Sequence, residues 1–75
     1  MGQTDIVELL KMIRFNDPER WLTIREIKDE LILRKSNYST VKNCYEMVYK
    51  LAIFNQIECK GEGFMHHEKL FRARP

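Results

Sequence analysis

Apolar positions between residues 4 and 16 fall three and four apart. Ile6, Leu9, Leu10 and Ile13 lie on one side of a helix of 3.6 residues per turn. Asp5 and Glu8 occupy its first turn, where unsatisfied amides favour anions, and Thr4 is the expected N-cap. Val7, Met12 and Phe15 lie off the main stripe, so this helix carries more apolar surface than one small chain needs. Asn16-Asp17-Pro18 ends it, because proline disfavours helical geometry in the residue before it.

Trp21-Leu22-Thr23 is short, apolar and β-prone, and predicts a small strand. Thr23-Ile24-Arg25-Glu26 then reads as a capping box opening a second helix. Ile24, Ile27 and Leu31 form its inward stripe, with Arg25, Lys28 and Asp29 facing out. Arg34-Lys35-Ser36-Asn37-Tyr38 is a turn, and Ser36, Asn37 and Ser39 are each competent to cap a third helix.

Residues 39–54 predict that third helix, the longest of the chain. At about 100° per residue, Val41, Cys44, Tyr45, Val48, Leu51 and Ala52 share its inward face. Ser39, Lys42, Asn43, Glu46 and Lys50 fall on the opposite face. Asn55 tolerates the left-handed conformation that closes many helices. Ile57-Glu58-Cys59-Lys60 alternates as a half-buried strand, Gly61-Glu62-Gly63 marks a turn, and Lys69-Leu70-Phe71-Arg72-Ala73-Arg74 reads as the returning strand. The hairpin loop is expected around residues 61–67.

Residues 1–75 therefore read as a single α+β domain of three helices and a C-terminal β-hairpin. With 44% hydrophobic and 32% charged residues the chain belongs with globular proteins rather than disordered ones. It has neither a membrane-length apolar run, which takes about 18 residues, nor a basic stretch leading into an apolar one at its start. A soluble, cytoplasmic protein with no membrane contact is the expectation.

Thirteen basic against eleven acidic residues give a net charge of only +2, so the distribution is more informative than the sum. Acids concentrate early, at Asp5, Glu8, Asp17, Glu19, Glu26, Asp29 and Glu30. From Arg34 onward the bases lead, with Arg34, Lys35, Lys42, Lys50, Lys60, Lys69, Arg72 and Arg74 against Glu46, Glu58, Glu62 and Glu68. Cys44 and Cys59 both fall on inward-facing positions and read as small buried hydrophobes.

This element order resembles the winged helix-turn-helix superfamily over nearly the whole chain. The likeness rests on Leu22-Thr23-Ile24-Arg25-Glu26-Ile27 entering the second helix and Ser39-Thr40-Val41 opening the third. It continues in Leu51-Ala52-Ile53-Phe54-Asn55-Gln56-Ile57-Glu58 leaving it, where Asn55 takes the usual place of a glycine and Gln56 that of an apolar residue. The resemblance implies a three-helix winged helix-turn-helix with a C-terminal wing, and duplex DNA as the partner of a small transcriptional regulator. Groove-facing residues would be Ser39, Thr40, Lys42, Asn43, Glu46 and Lys50, types suited to base edges and phosphates. Lys60, Lys69, Arg72 and Arg74 on the wing would supply sequence-independent attraction.

Other chemistry is less well supported. His66, His67, Cys44 and Cys59 match no metal-ligand spacing, and adjacent residues of a strand point to opposite sides, so no metal or other cofactor is expected. With no phosphate loop, nucleophile elbow or paired carboxylates beside a base, the chain does not read as an enzyme. The surplus apolar surface of the first helix, with Ile53 and Phe54, predicts a homodimer. The alternative function is a winged-helix protein-interaction module within a larger transcription or replication complex, a role for which a near-neutral charge suffices.

Overall fold

Thr23 opens the second helix as its sequence predicts. In the computed structural model, which describes residues 2–61 and 69–75, the Thr23 side chain accepts from the Glu26 amide at 3.1 Å. Glu26 in turn accepts from the Thr23 amide at 2.9 Å. A reciprocal cap of this kind contributes about 1 kcal/mol. It starts α2 (Ile24–Leu33), whose Ile24, Ile27 and Leu31 are buried.

The first helix, α1, runs over Gly2–Asn16. Thr4 is thus inside the helix rather than its N-cap. Its C-terminal end falls before Asp17-Pro18, as the proline requires. Ile6, Leu9, Leu10 and Ile13 are buried, while Met12 and Phe15 are exposed. Val7 is half-buried and packs against the core, so it adds less free apolar surface than its off-stripe position suggests.

The expected long helix over residues 39–54 is two helices, α3 (Tyr38–Lys42) and α4 (Cys44–Ile53). At Asn43 the backbone leaves the helical basin, at φ −100° and ψ 13°, so α1 is the longest helix and four helices are present among the described residues. Asn37, one of the three candidate caps, is the one used: its Oδ1 accepts from the Ser39 amide at 2.8 Å. The apolar period survives the break, with Cys44, Val48 and Leu51 buried, but it extends back to Thr40 rather than Val41. Both α2 and α4 end in the same closure. Lys35 (φ 56°) and Asn55 (φ 57°) take the left-handed conformation. The next amide along the chain then bonds back across the last turn, Ser36 to Leu31 at 3.0 Å and Gln56 to Leu51 at 2.8 Å.

β1 (Ile57–Lys60) and β2 (Leu70–Ala73) pair antiparallel, with Ile57 opposite Ala73 and Cys59 opposite Phe71. The predicted Trp21-Leu22-Thr23 strand is reduced to a single bridge. Leu22 and Phe71 exchange both backbone hydrogen bonds, at 2.9 and 2.7 Å, so Leu22 lies on the free edge of β2. Phe71 and Ala73 point into the core with Leu22 and Ile57. Along β1 exposure rises from buried Ile57 to exposed Cys59 and Lys60, so Cys59 is not the buried thiol its alternation predicts. The expected loop lies largely in residues 62–68, with His66 and His67, outside the described residues. Among those that are described, no helix is long and apolar enough to cross a membrane.

Candidate nucleic-acid interface

Five of the six residues expected to face a groove are on the surface: Ser39, Lys42, Asn43, Glu46 and Lys50. Thr40 is not, being only 2% exposed. It precedes Cys44 by one helical turn and continues the stripe of Cys44, Val48 and Leu51, so it faces the core and cannot meet a ligand. Asn43 ends α3 and begins α4, yet its side chain makes no capping hydrogen bond. Its amide is exposed and makes no side-chain hydrogen bond among the described residues, which leaves its donor and acceptor open to an outside partner. Glu46, a carboxylate on the face expected to meet a groove, is paired with Lys50 at 3.3 Å one turn later. The pair neutralises the unfavourable charge and engages Lys50 in doing so.

An outward-facing pair on α2 joins this surface. Arg25 and Lys28, three residues apart and so on one side of the helix, border a groove of about 230 Å³ together with Lys42 of α3. Ile24, Val41 and Tyr45 line the same groove. Ion pairs among the described residues join Arg14 and Arg72 to Glu58, Arg20 to Glu26, Arg34 to Glu30 and Lys50 to Glu46; none involves Arg25, Lys28 or Lys42. Three cations with no ion-pair partner among the described residues thus converge where α2 meets α3 and α4. Sequence alone does not reveal this, because Arg25 and Lys28 look like an ordinary solvated face until α3 is placed beside them. Their spacing is the only available signal.

Cations of the hairpin are used differently. Glu58 on β1 sits between two guanidinium groups, Arg14 of α1 at 2.5 Å and Arg72 of β2 at 3.0 Å. Arg14 also donates to the Ala73 carbonyl at 2.5 Å, and Arg72 to the Pro18 carbonyl at 3.3 Å. Arg72 and Lys60 each approach the Trp21 ring, 4.3 Å from its centroid, within cation–π range. Arg74 donates to the Asn55 carbonyl. Of the four wing residues expected to attract phosphate, Arg72 and Arg74 are thus tied into the fold, Lys60 stacks on Trp21, and Lys69 is half-buried. The hairpin's charges chiefly fasten it to α1 and to the segment before α2.

The Glu58 clamp has a pH signature. Hydrogen bonds from Arg14 and then Arg72 hold its carboxyl below the ordinary value of 4.5. A depressed folded-state value contributes stability that is present above the unfolded value and is lost as pH falls through the folded one. Thermal melts should therefore show a destabilisation below about pH 4.5. Glu58→Gln should lower the melting temperature at pH 7 and flatten this acid limb. An unaltered acid limb in the variant would remove Glu58 as its source.

Burial pushes the Cys44 thiol up to about 11, against a smaller opposing pull from Lys28. It stays protonated at neutral pH and acts as a core residue. Partial burial likewise raises the Cys59 thiol, against the pull of Lys69.

Comparison of the chain with protein-family models, with curated proteins and with solved structures gives no match.

Proposed function

We propose that this domain is a winged helix-turn-helix protein that binds duplex DNA as a small, non-catalytic transcriptional regulator. One observation carries the reading: Arg25, Lys28 and Lys42, with no ion-pair partner among the described residues, converge on a groove beside exposed Ser39 and Asn43. Clustered, unpaired cations attract a polyanion, and each one that meets a phosphate releases condensed counterions. Asn43 supplies the element that cations lack, because a free amide can bond bidentately to adenine N6 and N7. In this arrangement α3 and the first turn of α4 lie in the major groove, and Arg25 and Lys28 reach the adjacent phosphates. Arg72, which the sequence assigns to phosphate, keeps its structural role.

The test is a binding comparison on the preferred duplex. Asn43→Ala should cost about 1–3 kcal/mol there, reduce discrimination between sequences, and leave the salt dependence unchanged. Equal loss on every duplex would remove Asn43 from base reading.

A second reading, a protein-interaction module within a larger complex, is favoured by a different observation. Ile32, Leu33 and Tyr38 are exposed around the turn between α2 and α3, and Ile53 and Phe54 at the end of α4. Exposed apolar area of this kind marks interfaces. Substitutions at these residues would impair function under this reading, and those at Asn43 and Lys42 would not.

A further inference from the structure

The outward face of α1 carries a stripe whose two halves complement each other. Thr4, Glu8, Lys11 and Phe15 are all exposed and recur at spacings of four, three and four residues, which places them in one row along the helix. Phe15 is 87% exposed, the most exposed of the large hydrophobic residues that are described. Neither Glu8 nor Lys11 joins an ion pair among the described residues.

We propose that this stripe is the interface with a second copy of the same chain, packed antiparallel on α1. A two-fold axis between Glu8 and Lys11 brings each Glu8 opposite Lys11 of the other copy, and each Phe15 over the other copy's Thr4. This is what an isologous contact demands, since every residue of the patch must find its partner within the same patch. A parallel arrangement would instead face Glu8 with Glu8 and Lys11 with Lys11, at a cost in like-charge repulsion. Antiparallel packing also sets the positive end of each helix dipole beside the negative end of the other. The seam is one helix long, about 22 Å for 15 residues, so the dimer is held by few contacts and is a weak one. The proposal is independent of the DNA reading: the stripe contains none of the groove residues.

Sedimentation velocity on the full chain at tens of micromolar tests it. The wild type should be a dimer and Phe15→Glu a monomer with unchanged circular dichroism, since Phe15 lies outside the core. Glu8→Lys and Lys11→Glu should each weaken association about tenfold, because each sets like charges opposite one another twice across the axis. The double variant, which swaps the charges, should recover the dimer. Rescue by the swap is specific to this register, since a variant that merely damages the fold is not repaired by a second change. A wild-type monomer, a dimer that survives Phe15→Glu, or a double variant that stays dissociated would each overturn the proposal. So would dissociation by Phe54→Glu without dissociation by Phe15→Glu.

Discussion

Phe71→Ala is expected to be the most destabilising single truncation of the hairpin, costing about 3–5 kcal/mol. Phe71 is fully buried, heads the fully buried side chains by volume, and packs with residues from α1, α2 and α4 in one core. Its backbone also holds two edges at once, pairing with Cys59 of β1 on one side and exchanging both hydrogen bonds with Leu22 on the other. Truncating a buried phenylalanine costs about 3–5 kcal/mol, partly transfer free energy and partly the cavity left behind. A 75-residue chain has a total stability of about 4–11 kcal/mol at typical values per residue. The loss is therefore a large fraction of the total. Denaturant unfolding, at a protein concentration well below that of dimerisation, reads the effect directly, with Phe15→Ala as the control. That substitution removes the same atoms from a surface site and should move stability by no more than about 0.5 kcal/mol. A loss of under about 1 kcal/mol for Phe71→Ala would mean that the core is not built around β2.

The second large effect is expected on binding. Replacing Arg25, Lys28 and Lys42 together with alanine should abolish duplex binding at physiological ionic strength. It should also lower the slope of log K against log salt by two to three units, at about 0.9 for each phosphate no longer neutralised. All three are exposed and outside the ion pairs of the described residues, so their removal should leave stability nearly unchanged. Arg72→Ala should do the reverse. It breaks the Glu58 clamp and the stacking on Trp21, lowering the melting temperature with little change in slope. If the Arg72 variant lost the slope and the triple variant kept it, the interface would be the hairpin after all.

The start of α2, two helix ends and the strand pairing are legible in this sequence because each has a local chemical signature. The Thr23-Glu26 box, the Asp17-Pro18 stop, the left-handed Asn55 and the two strands need only their neighbours to be recognised. Lys35 makes the same left-handed closure as Asn55 and goes unread, since lysine carries no preference for that conformation. The break at Asn43 is invisible for a related reason: one non-helical residue leaves the apolar period of Cys44, Val48 and Leu51 intact. Periodicity reports which face is inward, not whether the axis is continuous.

The candidate site is legible only in part. The polar row of Ser39, Lys42, Asn43, Glu46 and Lys50 is an outward face, as its spacing predicts. Thr40 is misread because a threonine beside a serine at a helix start looks like a polar pair, whereas its position one turn before Cys44 buries it. Charge partners are the least legible part. Glu58 lies 44 residues from Arg14 and 14 from Arg72, and only the fold brings them together. That tertiary contact moves Arg72 from a free cation to a structural one, and the same packing brings Arg25 and Lys28 to Lys42.

Binding of the unmodified chain to a mixed-sequence duplex, titrated across a series of salt concentrations, tests the central claim most directly. Duplex recognition through the α2–α3 groove predicts measurable affinity at low ionic strength and a linear fall of log K with log salt. The predicted slope is at least the roughly 2.7 units that contacts from Arg25, Lys28 and Lys42 would give at about 0.9 each. No binding at low ionic strength, or binding indifferent to salt, would contradict DNA recognition and leave the protein-interaction reading in its place.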